Sequence, residues 1–152
     1  MAFTISSPAF ENGQMIPVKY SCKGENVSPP LAWSGAPAGT KSFALIMDDP
    51  DAPSGIFVHW VVFNIPATAA GLGERVSPSG KLPDATIQGV NGRQATGYTG
   101  PCPPWGKHRY FFKLYALDTL LGLGSSADKR GLLGAMQGHI LAEAQLLGHF
   151  SK

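Results

Sequence analysis

The chain has 152 residues, of which 43% are hydrophobic and 14% charged, with a formal net charge of +2 at pH 7. This length suits one domain with a real core, so we expect residues 1–152 to form a single domain. The small, scattered charge contains no Lys/Arg cluster and argues against nucleic-acid binding. Because there is no apolar run of about 18 residues and no signal-peptide pattern, we expect a cytoplasmic protein that does not span a membrane.

The chain begins with a pattern of short strands, and its 19 glycines and 13 prolines indicate many turns. Phe3 and Ile5 alternate with polar residues, as in a first short strand. Asn12-Gly13 is typical of a tight turn, and residues 15–22 are expected to return as a second strand.

Two longer apolar runs follow, at residues 41–48 and 56–65. Their near-continuous apolar character predicts strands that are covered on both faces. Between them lies a turn segment, residues 48–55, that carries three carboxylates. Strict alternation along the second run predicts that four of its residues share one face: His59, Val61, Phe63 and Ile65.

Residues 98–110 form the most constrained stretch, with three prolines, two glycines, a cysteine and a histidine. Such a loop has few accessible shapes and can hold a site without reordering. The strand predicted after it places His108 and Tyr110 on the same face as Phe112 and Leu114. A histidine and a tyrosine therefore stand at the mouth of an apolar face, beside a rigid loop.

The remaining segments are a long loop and a helical pattern. Residues 66–97 are rich in Gly, Ala, Ser and Pro, with only short strand candidates such as residues 85–90. Near the C-terminus, apolar residues at helical spacing predict an amphipathic helix over residues 130–147, capped by Ser126 or Asp128. We interpret the apolar stripe of this helix as core packing.

The two cysteines, Cys22 and Cys102, do not make a disulfide framework. In a reducing compartment we expect both to be free thiols. Each lies in a Gly/Pro-rich loop and such loops can meet, so the sequence leaves their pairing open.

Four interpretations of the polar residues compete. The first is a pocket that binds a small anion through His59, His108, Tyr110 and the backbone amides of residues 99–107, with a carboxylate from residues 48–51 orienting an imidazole. The second is a metal site made of two histidines and one carboxylate. The third is a Cys102 nucleophile activated by a histidine and an aspartate. The fourth, which we prefer for Asp48, Asp51 and Arg109, is a structural network of ion pairs.

At these residues the sequence resembles the phosphatidylethanolamine-binding protein family, also called Raf kinase inhibitor proteins. Asp48–Pro53 is similar to the family's Asp-Pro-Asp-x-Pro motif, and Gly106–Tyr110 to its Gly-x-His-Arg motif. Ser28–Trp33 and Gly100–Pro104 are similar to segments of the bacterial and archaeal branch. The motifs follow the family's order over nearly the whole chain.

The resemblance implies a mainly β fold, an antiparallel two-sheet Greek-key sandwich with peripheral helices. It also implies a small pocket for phosphate, acetate or phosphorylethanolamine at one end of the large sheet, a cis bond before Pro53, and a homodimer. Two positions depart from eukaryotic members: Cys102 replaces a glycine, and Phe57 replaces a tryptophan. The ligand-binding residues carried over in this way are Asp49, Phe57, His59, Gly100, Cys102, Pro103, Pro104, His108 and Tyr110.

From the residues and the resemblance together we expect a non-enzymatic anion-binding protein without metal or cofactor. Its expected role is to inhibit or modulate a partner such as a kinase or a serine protease. In the expected site, Asp49 orients His59 and His108 as anion donors. The alternative from another class is a thiol-dependent hydrolase that uses Cys102 with a pocket histidine.

Overall fold

The computed structural model describes residues 2–152, which fold into two antiparallel sheets. The strands of this part of the chain are β1 (Thr4–Ser6), β2 (Leu31–Ser34), β3 (Ser42–Asp49), β4 (Phe57–Pro66), β5 (Gly71–Leu72), β6 (Ile87–Gln88), β7 (Lys107–Leu117) and β8 (Ile140–Ser151). The smaller sheet has the order β1-β2-β5 and the larger one β6-β4-β3-β7-β8. One helix, α1 (Lys129–Met136), and one 3-10 turn, Val18–Tyr20, lie outside the sheets. The expected mainly β, two-sheet fold is confirmed.

The main hydrophobic core lies between the two sheets. Ile5 and Trp33 of the small sheet belong to the same buried cluster as Phe43, Met47 and Phe112 of the large one. The rings of Trp33 and Phe43 pack with centroids 5.5 Å apart. Because each such side chain stabilises the fold by about 1.5–3 kcal/mol when buried, this interface holds the large sheet in place.

A second core covers the opposite face of the large sheet. Leu132 and Met136 of α1 are fully buried there against Val61 and Phe63 of β4. The helix begins where expected, since the Asp128 side chain accepts a hydrogen bond from the Gly131 amide at 2.9 Å. Strand β3 is thus covered on both faces, as its continuous apolar run predicts.

Two irregularities in the pairing of β4 with β3 change which residues share a face. Met47 pairs with Trp60 but Asp48 pairs with Val58, which leaves His59 as an extra residue, a β-bulge. The second irregularity lies where Phe43 pairs with Ile65 but Leu45 pairs with Val62.

The bulges overturn the prediction that His59, Val61, Phe63 and Ile65 share one face. Val61 and Phe63 pack under α1, whereas Ile65 lies in the main core. His59 turns away from Val61 and lines a cavity at the strand's start. A single inserted residue reverses the alternation, which a strict period of two cannot anticipate.

The predicted helix over residues 130–147 is wrong beyond Met136. The backbone of Gly138 is left-handed, with φ of 83°, and Ile140 then begins the 12-residue strand β8. This strand pairs with β7 along its length, from Lys107 opposite Ser151 to Leu117 opposite Ile140. Pairing with a partner strand therefore outweighs the helical spacing of the apolar residues.

Three other expectations are also corrected. Residues 15–22 form no strand, and Met15 makes only an isolated bridge to His149. The strand expected at residues 85–90 is reduced to the two residues of β6. No cis peptide bond occurs in residues 2–152, so the bond before Pro53 is trans.

Within residues 2–152, no helix has the length and apolar character to cross a bilayer.

Candidate functional site

A small cavity of about 140 Å³ lies at the end of the large sheet where β3 ends and β4 and β7 begin. Pockets for drug-sized ligands are larger, at about 300–1,000 Å³, so this one suits a guest of only a few atoms. Its walls are Asp49, Ala52, Pro53, Phe57, His59, Arg93, Gly100, Cys102, Pro103, Pro104, His108 and Tyr110. The structure thus brings together around one cavity all nine residues that the resemblance assigns to the ligand site.

The Asp49 carboxylate and the His108 imidazole form a buried pair. Nδ1–H of His108 donates to Oδ2 of Asp49 at 2.7 Å, and both side chains are almost completely buried. The other carboxylate oxygen of Asp49 accepts from the Asp51 amide at 2.7 Å. This arrangement fixes the His108 tautomer and leaves its Nε2 without a partner in the described chain.

His59 is held by a different group from the one expected. Its Nδ1 lies 2.7 Å from the carbonyl oxygen of Thr99, which can only accept, so Nδ1 carries the proton. Asp49 therefore orients His108 and not His59. Burial lowers the pKa of His59, so the ring is neutral at pH 7 and its Nε2 offers a lone pair.

The Tyr110 phenol supplies an O–H group to the cavity. Its ring is buried in the main core and meets the His59 ring edge-on, with centroids 5.2 Å apart. Burial, and secondly the negative charge of Asp49, raise the pKa of the phenol. The hydroxyl consequently stays protonated at any pH near neutrality and can donate a hydrogen bond.

The proline-rich loop shapes the cavity but supplies fewer amide donors than predicted. The Thr99 amide donates to the carbonyl oxygen of His59 at 3.0 Å, and the Gly100 amide donates to Oδ1 of Asn26 at 2.8 Å. Three further positions of the loop are prolines, which have no N–H. The loop is a stiff wall, and its Thr99 and Gly100 amides are already hydrogen-bonded within the protein.

Cys102 is bonded to Cys22 in a disulfide, with the two Cα atoms 5.4 Å apart. The expectation of two free thiols is therefore wrong. The two loops do meet, because the Cys22 amide donates to the carbonyl oxygen of Pro101 at 3.1 Å. A sulfur in a disulfide has no thiolate, so this structure offers no nucleophile of the kind that the hydrolase alternative requires.

The other carboxylates of the 48–51 segment are structural. The Asp51 carboxylate accepts from Nε and Nη2 of Arg109, both at 2.9 Å, and from the Arg109 amide. The hydrogen bonds from Arg109 hold the pKa of Asp51 down at about 2. Asp48 instead contacts Lys113 of β7 at 3.2 Å and Lys129 of α1 at 2.8 Å.

In residues 2–152, no group of three His, Cys, Asp or Glu side chains is arranged to hold a metal ion, so the metal alternative gains no support.

Three lining residues, Ala52, Pro53 and Arg93, were not among the nine predicted, and of these Arg93 alone lies outside the family motifs. It lies within the long 66–97 segment, where no strand pattern or motif marks it. Only the fold brings that segment to the cavity mouth, because the Gly92 amide bonds to the carbonyl oxygen of Val58 at the start of β4.

A larger cavity of about 520 Å³ lies beside α1, but its lining contains no histidine or tyrosine and none of the residues that the family motifs mark. Of its charged residues, Asp128 caps the helix and Lys129 is paired with Asp48. We therefore take the smaller cavity as the candidate site.

The fold and the site define a class of proteins, two-sheet β folds with one small polar cavity at the end of the large sheet. A family model described as phosphatidylethanolamine-binding protein matches residues 6–151. The chain belongs to the phosphatidylethanolamine-binding protein family.

Relatives and solved structures agree with this assignment. A protein of Methanothermobacter thermautotrophicus, named UPF0098 protein, is 53% identical over 97% of this chain and 98% of its own length. The crystal structure of CT736 from Chlamydia trachomatis, described as a homologue of phosphatidylethanolamine-binding protein, superposes with a TM-score of 0.92 at 42% identity, covering 99% of this chain and 98% of that one. Escherichia coli YbcL, described as a new member of the mammalian family, gives a TM-score of 0.92 at 34% identity, covering 100% and 99%.

Proposed function

We propose that this protein binds a small anion in the candidate site without catalysing a reaction, and that it thereby modulates a partner protein such as a kinase or a serine protease. The anion is phosphate, acetate or a phosphorylethanolamine-like group. One observation supports this most directly: two imidazoles, a phenol and a carboxylate from distant parts of the chain line one cavity of about 140 Å³.

The hydrogen-bonding capacity of the cavity fits an oxyanion. The Tyr110 hydroxyl can donate to the anion. Nε2 of His108 has no hydrogen-bond partner in the described residues, and it donates to the anion when both ring nitrogens carry a proton. The neutral imidazole of His59 has a lone pair on Nε2, which can accept a hydrogen bond from an anion that carries a proton, such as hydrogen phosphate. For an anion without a proton, the imidazole itself is protonated on binding. Apolar walls from Phe57 and the prolines limit the guest to a small group.

The absence of a nucleophile among the lining residues argues against catalysis. No serine or threonine hydroxyl lines the cavity within residues 2–152, and the sulfur of Cys102 is in a disulfide. The Asp49–His108 pair has the geometry of a base and its orienting carboxylate, but among the described residues no serine, threonine or free cysteine side chain lines the cavity for it to activate.

The first test is a phosphate titration followed by amide chemical shifts. We expect millimolar phosphate to shift the signals of residues around the cavity, and His59→Ala to abolish these shifts while the protein stays folded. His139→Ala is the matched control, because His139 is exposed and contacts Asp118 away from the cavity. Shifts that persist unchanged in His59→Ala would contradict the proposal.

The second test separates binding from hydrolysis and addresses the partner. We expect no turnover of activated esters, with or without a reductant. We also expect inhibition of a kinase or a serine protease by the wild type to weaken in His59→Ala. Turnover that appears on reduction and disappears in Cys102→Ser would favour the hydrolase instead.

A further inference from the structure

Arg93 places a positive charge at the mouth of the candidate site. It lines the cavity together with His59 and His108. Burial is the main cause of the lowered pKa of His59, and the guanidinium of Arg93 is close enough to add to that effect. The cavity therefore has a permanent cation at one side, in addition to the Asp49 carboxylate and the neutral groups of His59 and Tyr110.

The turn that carries Arg93 is anchored, although the residue itself is exposed. Asn91 is buried; its Nδ2 donates to the Gly97 carbonyl oxygen at 2.8 Å and its Oδ1 accepts from the Arg93 amide at 2.9 Å. The turn also packs on the cavity wall, since a Cβ added to Gly92 would lie 2.7 Å from the ring of Phe57. The backbone of Arg93 is thus held at a set position relative to the cavity.

The other charged groups at the cavity are already engaged. His108 donates a hydrogen bond to Asp49. Outside the cavity, Arg109 forms a bidentate salt bridge with Asp51. The Arg93 guanidinium, by contrast, makes no hydrogen bond or ion pair with any residue from 2 to 152. Its charge is available to a ligand.

We propose that Arg93 makes the cavity selective for doubly charged phosphate groups, inorganic phosphate or a phosphomonoester, over carboxylates and phosphodiesters. The inference rests on the proposed anion-binding function and names the ligand class of that same site. A guanidinium presents a planar fork of donors that matches two oxygens of a phosphate. A second negative charge on the ligand strengthens its attraction to the guanidinium. That attraction offsets the repulsion between the ligand and the buried carboxylate of Asp49.

The test compares four ligands at constant ionic strength by calorimetric or NMR titration. They are inorganic phosphate, O-phosphorylethanolamine as a monoester, glycerophosphorylethanolamine as a diester of the lipid type, and acetate. The variants are Arg93→Gln, Arg93→Lys and the control Arg130→Gln. Arg130 is an exposed arginine of α1 that lines the other cavity, so its substitution changes the net charge equally.

We expect Arg93→Gln to weaken binding of phosphate and the monoester by about tenfold or more, as the loss of a charge-assisted hydrogen bond predicts. Binding of acetate and the diester should change by less than about threefold, since one negative charge gains less from the guanidinium. Arg93→Lys should be intermediate, because it keeps the charge but not the fork. Arg130→Gln should leave all four affinities within about twofold, because screening weakens remote charges.

The outcomes distinguish this inference from the proposed function. If the wild type binds phosphate, loses it in His59→Ala, and keeps it in Arg93→Gln, Arg93 is only a solvated surface residue and the inference is overturned. Equal losses for phosphate and acetate would also overturn it. Wild-type protein that binds none of the four ligands would overturn both.

Discussion

The chemistry of the site depends on which ring nitrogen of each histidine is already hydrogen-bonded within the protein. Sequence motifs place His59 and His108 at one site, but they do not show that Thr99 holds the first and Asp49 the second. That difference decides which group His59 offers to a ligand. A histidine held by a backbone carbonyl, buried and neutral, accepts through its remaining nitrogen, whereas the sequence-based expectation had it donating.

The lowered pKa of His59 predicts a loss of stability in mild acid. Unfolded His59 takes up a proton below its ordinary pKa of 6.5, while the folded protein resists protonation because the ring is buried. The unfolded state then binds more protons, so stability falls as the pH falls below 6.5, by at most about 1.4 kcal/mol per pH unit. Above that pH the contribution is constant.

Urea unfolding at pH 7.5, 6.5 and 5.5 measures this effect. We expect His59→Gln to lose less stability than the wild type between pH 6.5 and 5.5, and the exposed control His139→Gln to follow the wild type. Asp51 does not interfere, because its contribution to stability is lost only as the pH falls from its ordinary pKa of 3.8 to its folded pKa of about 2. Parallel curves for wild type and His59→Gln would contradict the assignment of a neutral, buried imidazole.

At the scale of elements, β8 explains why the C-terminal prediction was wrong. Its inward-facing positions have a period of two, and Ala142, Ala144, Leu146 and Phe150 all contact the main core. Two of these side chains are small, so the strand pattern is weak beside the more conspicuous leucines and methionine at helical spacing. Gly148 continues the same face, where a Cβ would lie 2.6 Å from Ile16.

The loop that forms the cavity wall depends on a close approach at Gly100. A Cβ there would collide with the carbonyl oxygen of Tyr20 and with Oδ1 of Asn26, the acceptor of the Gly100 amide. We therefore expect Gly100→Ala to lower the free energy of unfolding by about 2 kcal/mol or more, because well-packed backbone cannot absorb the added atom.

Gly122→Ala is the matched control, because nothing lies within 4 Å of a Cβ at that position. Its free energy of unfolding should stay within about 0.5 kcal/mol of the wild type. Phosphate titration of Gly100→Ala, under conditions where it is folded, should show weaker binding as the wall shifts. Equal stabilities of the two alanine variants would contradict this account of the wall.

At the scale of the whole molecule, the disulfide joins two distant parts of the chain. Cys22 and Cys102 are separated by 80 residues, and the bond connects the segment after the 3-10 turn to the cavity wall. Closing so long a loop restricts the unfolded chain, and such a bond typically stabilises a protein by about 2–4 kcal/mol. We expect reduction to lower the free energy of unfolding by that amount.

A thiol assay and a double variant check the disulfide. The unfolded, unreduced chain should show no free thiol, and two after reduction. Cys22→Ser/Cys102→Ser should unfold at lower urea than the oxidised wild type and should not respond to reductant. Two free thiols before reduction, or equal urea midpoints with and without reductant, would contradict the bond or its contribution.

Much of the fold and the site follows from local signals in the sequence. Continuous apolar runs predict β3 and β4, and the alternation after His108 predicts the inward face of β7. Asp128 is one of the two helix caps that the sequence offers, and the structure selects it over Ser126. The family motifs select nine residues, and the structure places all nine around one cavity, although their role as ligand-binding residues stays a prediction.

Tertiary structure alone decided the features that depend on contacts between distant segments. The strand β8, the Cys22–Cys102 bond and the approach of Arg93 to the cavity arise from partners in other segments of the chain, and the bulge at His59 arises from the register between β4 and β3. A local pattern reports the period and polarity of a segment but not its partner. The partner determines the register and pairing of a strand, and it determines which nitrogen of an imidazole stays free. Each of these depends on a contact with another segment and not on one residue alone.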